Sequence, residues 1–145
     1  MARSTKTHTK PVSKKSSGGR YFEAVGRRKT AVARVRLFSG GSDFLINGKS
    51  LAKYFPLRKN RDLIESPFKM LAIKKFSGSA RVEGGGVNAQ AEAVRLGISR
   101  ALILQNPESR QTLKTAGFLT RDSRKVERKK FGSRKARRPQ QWRKR

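Results

Sequence analysis

The sequence predicts a mixed α/β domain over residues 21–118, with a basic arm at residues 1–20 and a basic tail at residues 119–145. Three observations support this division. One segment alternates with the period of a half-buried strand, and a second carries apolar residues at helical spacing. Apolar periodicity then stops near residue 119, where positive charge dominates. A chain of 145 residues therefore predicts one domain with a single modest core.

The first predicted strand lies in the stretch TAVARVRLF at residues 30–38. Alternation places Arg34 and Arg36 on the same side of this strand, about 7 Å apart. These arginines are either solvated surface charges or a phosphate-facing patch. The neighbouring bases Arg27, Arg28 and Lys29 favour the patch. The opposite, apolar face of the strand comprises Ala31, Ala33, Val35 and Leu37.

The residues after this strand predict a turn and two short elements. Serines and glycines at residues 39–42 indicate a turn. Residues 43–48 predict a short strand that ends in an Asn-Gly turn signal. Residues 50–55 indicate one or two helical turns, because Pro56 cannot continue a helix.

A less certain pattern follows over the next part of the chain. Asn60 is predicted to cap a helix that runs to Glu65. The apolar residues at 67–76 fit a helix and a strand equally well, and periodicity alone does not separate the two. Residues 79–83 predict another strand.

Three consecutive glycines, Gly84, Gly85 and Gly86, precede the clearest helix. A glycine loop before a helix N-terminus lets the backbone approach a phosphate. The spacing matches no familiar nucleotide-binding loop, so a tight strand-to-helix corner is the other interpretation. Both interpretations hold together if the phosphate belongs to an RNA backbone.

The clearest helix is predicted at residues 88–105, and the Asn-Pro pair at 106–107 ends it. Glu92 and Arg95 lie off its apolar face, three residues apart, where they form a weak pair. A second short helix is predicted at residues 108–115. The apolar face of the long helix comprises Ala91, Val94, Ile98, Ala101 and Leu102.

Charge indicates the class of partner. The chain has 37 Lys and Arg against 9 Asp and Glu, a net charge of +28. Such a chain repels itself and needs a polyanion, for which nucleic acid and an anionic membrane compete. No apolar run is long enough to span a bilayer, and the tail lacks the apolar stripe of an interfacial helix. Nucleic acid is therefore the predicted partner, with no membrane partner.

Catalysis and cofactor binding are not expected. Cysteine is absent, which excludes disulfides and thiolate chemistry. The single histidine, His8, lies in the basic arm, and the acidic residues show no paired spacing for acid–base work. We therefore expect no catalytic site, no metal site, no cofactor and no small-molecule substrate. The arm lacks the hydrophobic core of a secretory signal. A solvated arm is favoured over an organelle transit peptide.

The tail has too little apolar surface to fold alone. We expect an extended thread, with at most one helical turn, that becomes ordered only against a polyanion. Trp142 either stacks on a nucleotide or packs against a partner surface. The tail bases predicted to contact RNA are Arg121, Arg124, Arg128, Lys129, Lys130, Arg134, Lys135, Arg137 and Arg138.

Three ordered blocks resemble the family of small-subunit ribosomal protein nine, bacterial type. The blocks are YFEAVGRRKTAVARV at residues 21–35, GGGVNAQAEAVRLGISRAL at 84–102 and GFLTRDSRKVERKKFG at 117–132. The resemblance covers residues 21–145. Ala89, where the family usually has Gly, and Arg143, where it usually has Ser, depart from the pattern.

The resemblance implies a fold and a place of action. The fold is a two-layer α+β domain with a left-handed βαβ crossover. The protein then lies in the head of the small ribosomal subunit of the cytoplasm or of an organelle, bound to small-subunit rRNA and neighbouring head proteins. The resemblance also implies that the tail threads through rRNA and that its tip contacts P-site tRNA. The tip residues are Lys144 and Arg145, with Arg143 beside them.

Two other functions remain open from composition. A DNA-condensing protein would carry a similar charge and would bind duplex DNA as tightly as rRNA. An RNA-processing enzyme with a basic anchor is disfavoured by the missing cysteine, the single histidine and the scattered acids.

Overall fold

A computed structural model describes residues 20–73 and 75–141 of the chain. Its described part contains one sheet of five strands with the order β1-β2-β5-β3-β4. The strands are β1 Tyr21–Arg28, β2 Ala31–Phe38, β3 Phe44–Ile46, β4 Lys49–Ser50 and β5 Ser77–Glu83. The helices are α1 Leu51–Tyr54, α2 Arg58–Met70, α3 Val87–Gln105 and α4 Ser109–Thr115.

The sheet is mixed. β1 and β2 form an antiparallel hairpin in which Tyr21 pairs with Phe38, and β5 runs antiparallel on the other side of β2. β3 lies parallel to β5, and the chain between them passes through β4, α1 and α2. This connection is the βαβ crossover implied by the resemblance, whose left hand stays a prediction. The α+β fold class itself is confirmed.

The core lies between one face of the sheet and the helices. Every second residue of β2, from Ala31 to Leu37, is buried, as the alternation predicts. Helix α3 packs on β1 and β2, and α2 packs on α3. At Gly26 the approach is so close that a Cβ atom would lie 1.9 Å from the carbonyl oxygen of Ala93. All five predicted apolar positions of α3 are buried.

The sequence prediction misplaced one helix start. Asn60 does not cap a helix, because α2 begins at Arg58 and Asn60 is buried inside its first turns, 4% exposed. The ambiguous residues 67–76 divide between two structures. Their first part completes α2, which ends at Met70, and a loop then leads to β5.

The tail after α4 is extended. Residues 120–130 form no helix or strand, and a single bridge joins Ser133 to Pro139 farther on. This course is compatible with the expected extended thread, whose ordering against a polyanion stays a prediction. Within the described residues, no helix has the length and apolar character that a bilayer crossing requires.

Candidate RNA-binding surface

One face of the sheet points away from the helices, and we call it the open face. Strand alternation and pairing define its members: Arg34 lies opposite Arg81, and Arg36 lies opposite Ser79. The opposite side chains of the same strands form the core. The open face comprises Tyr21, Glu23, Val25, Arg27, Val32, Arg34, Arg36, Phe38, Ser77, Ser79, Arg81 and Glu83.

The open face carries four arginines and two glutamates. Arg34 and Arg36 share the carboxylate of Glu23, whose oxygens lie 3.6 Å and 2.7 Å from the two Nε atoms. The hydrogen bond from Arg36 to Glu23, together with the charge of Glu23, raises the pKa of Arg36. The side chains of Arg34 and Arg36 remain 59% and 46% exposed. Both guanidinium groups are therefore accessible to a phosphate, in the place that the sequence predicts.

The bases just upstream of β2 do not share one environment. Arg27 is exposed on the open face, and Lys29 is exposed in the turn between β1 and β2. Arg28 differs, because it is the last residue of β1 and alternation turns it toward the helices, where it is 9% exposed.

The guanidinium of Arg28 is bonded inside the protein. Its Nε donates to Glu92 Oε2 at 2.5 Å, and its Nη2 lies 2.9 Å from Asp122 Oδ2. Its Nη1 donates to the backbone carbonyls of Asp122 and Arg124 at 3.2 Å and 2.6 Å. The prediction that Arg28 faces a phosphate is therefore wrong, because all three of its nitrogens already have acceptors.

These four residues, Arg28, Glu92, Asp122 and Arg124, form what we call the Arg28 cluster. It joins β1 and α3 to the first residues of the tail. The predicted pair of Glu92 with Arg95 is not formed, since Glu92 binds Arg28. Arg95 instead places its guanidinium carbon 5.4 Å from the ring centroid of Phe118, a second contact at the start of the tail.

Asp122 is the most perturbed acid of the Arg28 cluster. Hydrogen bonds from the side chain and backbone of Arg124 lower the pKa of Asp122 from 3.8 to about 2, and the charge of Arg28 adds to this shift. Asp122 Oδ2 accepts from Arg124 Nη2 at 2.9 Å. Arg124 is thus partly neutralised although its side chain is 88% exposed. It is therefore a weaker candidate for an RNA contact than its exposure indicates.

The glycine triplet forms the predicted corner between β5 and α3. Gly84 and Gly85 have φ angles of 68° and 66°, which other residues rarely adopt. A Cβ atom on Gly84 would lie 2.6 Å from the carbonyl oxygen of Thr30, and one on Gly85 would lie 2.8 Å from the Cβ of Ala31. The corner explains these two glycines. A phosphate contact at Gly84, Gly85 and Gly86 stays a prediction.

The remaining tail bases are exposed. Glu127 pairs with Lys130 and Arg137, at 3.4 Å and 2.9 Å. The tail bases that form no ion pair with any described residue are Arg121, Lys125, Arg128, Lys129, Arg134, Lys135 and Arg138. A thread of this kind offers its charges to a polyanion along its whole length.

Several predicted features lie outside the described residues. These are the tRNA-contacting residues Arg143, Lys144 and Arg145, the neighbouring Trp142, and His8 with residues 1–19 of the arm. In residues 20–73 and 75–141, no group of three or more His, Cys, Asp or Glu side chains is arranged to hold a metal ion.

Sequence reasoning did not assign Arg81 and Tyr21 to the open face, and it did not pair Tyr21 with Phe38, which alternation places on the face of Arg34 and Arg36. Arg81 escaped notice because β5 was predicted from residue 79 without assigning its faces. Tyr21 and Phe38 were not paired because they are seventeen residues apart, at opposite ends of the hairpin. Once β1 and β2 are taken as a hairpin with a two-residue turn, alternation places both rings on the open face.

The basic open face and the exposed basic tail indicate a small α+β protein with a candidate polyanion-binding surface. The family described as Ribosomal protein S9/S16 matches residues 26–145. The chain belongs to this family of ribosomal proteins, which are structural components of the ribosome and not enzymes. The resemblance found in the sequence is thereby confirmed.

Curated relatives agree with this assignment. Small ribosomal subunit protein uS9 of Mycobacterium tuberculosis (strain ATCC 25618 / H37Rv) is 51% identical over 127 residues, which cover 87% of this chain and 84% of the relative. Small ribosomal subunit protein uS9 of Amoebophilus asiaticus is 53% identical over 125 residues, which cover 86% of this chain and 98% of the relative. The chain is similar to these proteins over nearly its whole domain and tail.

Proposed function

We propose that this protein is a structural constituent of the small ribosomal subunit that binds small-subunit rRNA and serves translation. The proposal is supported by membership of the family and by the names of the relatives. The observation that carries it is the tail, most of whose exposed bases form no ion pair with any described residue. Contacts of Lys and Arg to phosphate supply affinity, and the shape of the RNA supplies specificity.

Salt dependence tests this mode of binding. The logarithm of the binding constant for single-stranded rRNA should fall by roughly 0.7 per phosphate contact for each tenfold rise in salt. The measurement is a titration of the full chain with a fragment of small-subunit rRNA at several salt concentrations. An affinity that does not change with salt would contradict the proposal.

A DNA-condensing function predicts different binding partners from those of an rRNA-binding protein. It requires equal affinity for duplex DNA and rRNA at the same salt concentration, and sedimentation with the nucleoid. We expect the protein to co-sediment with small subunits of the cytoplasmic ribosome after a high-salt wash, beside neighbouring proteins of the subunit head. Loss of the protein into the wash, together with binding to duplex DNA, would favour the alternative.

We further propose that the tip of the tail, Arg143 to Arg145, contacts the anticodon stem-loop of P-site tRNA. The support is the resemblance together with the extended, exposed course of the described tail. Such a contact reads backbone and not bases, since any tRNA must be accepted.

Removal of the tip tests this contact. Subunits that carry a chain without Arg143, Lys144 and Arg145 should assemble normally, because the described domain makes its contacts without them. Their P-site tRNA should dissociate faster than from wild-type subunits. Unchanged tRNA dissociation rates would reject the tip contact and leave the rRNA function intact.

A further inference from the structure

We propose that the open face holds one unpaired nucleotide of rRNA beside Tyr21, with its base stacked on the guanidinium of Arg36. This inference rests on the proposed function, because it requires rRNA to lie against the sheet. It goes further in naming one site on that sheet and the single-stranded state of the ligand.

The guanidinium of Arg36 is held in place by two neighbours. Its carbon lies 5.1 Å from the ring centroid of Tyr21, and its Nε donates to Glu23 Oε2 at 2.7 Å. Tyr21 is fixed in turn by an edge-to-face contact with Phe38, with centroids 6.3 Å apart. A planar cation fixed by a ring and a carboxylate loses little conformational entropy when a ligand arrives.

The Arg36 guanidinium still has free binding capacity. Its side chain is 46% exposed, and its two Nη atoms have no hydrogen-bond acceptor among the described residues. The neighbouring strand β5 presents small side chains at this point, because Ser79 lies opposite Arg36 and Ser77 lies opposite Phe38. Small side chains there leave room for a flat group to lie on the sheet.

The chemistry of this site fits a nucleobase with its phosphate. Unstacked RNA bases stack on aromatic rings and on Arg guanidinium planes, and free N–H groups of Arg donate to phosphate oxygens. The surrounding charge also fits a polyanion, since Arg27, Arg34 and Arg81 share the open face. A base inside a duplex is already stacked on both sides, so the ligand is an unpaired nucleotide.

Arg81 supplies a matched control on the same surface. It lies opposite Arg34, its side chain is 77% exposed, and it pairs with Glu83 at 3.0 Å, as Arg36 pairs with Glu23. It lies over no aromatic ring in the part of the chain that the structure describes. A pure charge contact would therefore treat Arg36 and Arg81 alike, whereas stacking distinguishes them.

The experiment uses small subunits reconstituted with each full-length variant in place of the wild-type chain. Unpaired adenines and cytosines of the rRNA are probed with a base-methylating reagent and unpaired uracils and guanines with a carbodiimide, and protein occupancy is measured by mass spectrometry. The variants are Arg36→Lys, which keeps the charge and loses the plane, and Tyr21→Leu, which keeps an apolar side chain and loses the ring. The controls are Arg81→Lys and Tyr21→Phe.

We expect the same one or few bases to gain reactivity in Arg36→Lys and Tyr21→Leu and to keep wild-type reactivity in both controls. A stacking contact of ordinary strength predicts a rise of about fivefold or more in the unstacked fraction. The inference is overturned if no base changes at full occupancy, which would indicate a protein neighbour or solvent. It is equally overturned if Arg81→Lys exposes the same bases.

Different results would overturn the proposed function and the nucleotide site. If the wild-type protein does not remain with the subunit after a high-salt wash, the proposed function itself fails. If it remains and the probing pattern is unchanged, the nucleotide site alone is wrong.

Discussion

The tail has two parts that share a basic composition and differ in their contacts. In the first part, residues 119–124, Leu119 packs against the core, as does the preceding residue Phe118. Arg28 then binds the side chain of Asp122 and the backbone carbonyl of Arg124. This part has a defined path on the domain before any RNA is present.

The second part, residues 125–141, makes no such contacts. Val126 and Phe131 are its large apolar residues, and they are 91% and 98% exposed. Its ion pairs join Glu127 to Lys130 and Arg137, both in the tail itself. Exposed pairs of this kind contribute little to the order of a chain.

The comparison shows that composition alone does not decide where order ends. The sequence predicts that the whole tail from residue 119 has nothing to pack against. That interpretation is wrong for residues 119–124, because the buried Arg28 guanidinium binds Asp122 and Arg124, and Leu119 packs against the core. The same interpretation stays a prediction for residues 125–141. These residues bury no large apolar side chain that could offset the entropy cost of ordering the chain.

The largest expected effect comes from Arg28→Ala. The substitution leaves Glu92 and Asp122 without their shared cation and two carbonyls without a donor. Removing one partner of a buried pair costs 3–5 kcal/mol, and the partial exposure of both acids reduces this to about 2–3 kcal/mol. Urea unfolding of the RNA-free protein measures the change in the free energy of unfolding.

Arg27→Ala is the matched control, because Arg27 precedes Arg28 and lies on the open face. Its cost should stay within about 0.5 kcal/mol. Trypsin gives a second measurement: in the wild type, cleavage after Arg124 should be slower than cleavage after Lys125, and Arg28→Ala should remove the difference. Equal costs for the two alanine variants would contradict the division of the tail.

A smaller effect is expected when the pH is lowered far enough to protonate Asp122. The pKa of Asp122 is about 2 in the folded protein, chiefly because Arg124 donates to it, against 3.8 for a free carboxyl. A carboxyl with a lowered pKa stabilises the folded state above pH 3.8 and loses that contribution as the pH falls toward 2. The start of the tail should therefore detach from the domain within this range.

An NMR titration measures this detachment through the carboxyl carbon of Asp122 and the amide of Arg124. The control is Asp122→Asn, in which the Arg124 amide should show no transition in the same range. A midpoint for Asp122 near 4 would mean that the hydrogen bonds from Arg124 do not hold in solution.

Much of the domain is predictable from local pattern. The alternation in β2 and the helical spacing in α3 follow from nearest neighbours, and both identify the buried residues. Arg28 is not predictable in this way, because its acceptors lie 64 and 96 residues away along the chain. Only the packing of α3 and the tail against β1 brings these acceptors to Arg28.

The open face was predictable in part. Alternation identifies Arg34 and Arg36 as members of one face. The role of Tyr21 depends on the hairpin register, which pairs it with Phe38 and brings it under Arg36. Asn60 is a second case in which local sequence does not determine position, since this residue, typical of helix caps, lies buried inside α2. Cap preference is weak compared with the packing that sets where α2 begins.

The smallest expected effect comes from neutralising Glu23 on the open face, compared with neutralising Glu92 in the Arg28 cluster. Glu23→Gln removes the carboxylate shared by Arg34 and Arg36, whereas Glu92→Gln removes one that binds Arg28. The exposed change should alter the free energy of unfolding by less than about 0.5 kcal/mol. The change at Glu92 should cost more, because the buried Arg28 guanidinium loses one of its two carboxylate partners and keeps only Asp122. Urea unfolding of the two variants, side by side, measures the difference. Equal costs would mean that the Arg28 cluster stabilises the protein no more than a surface pair, and the first part of the tail would then depend on RNA as the second part does.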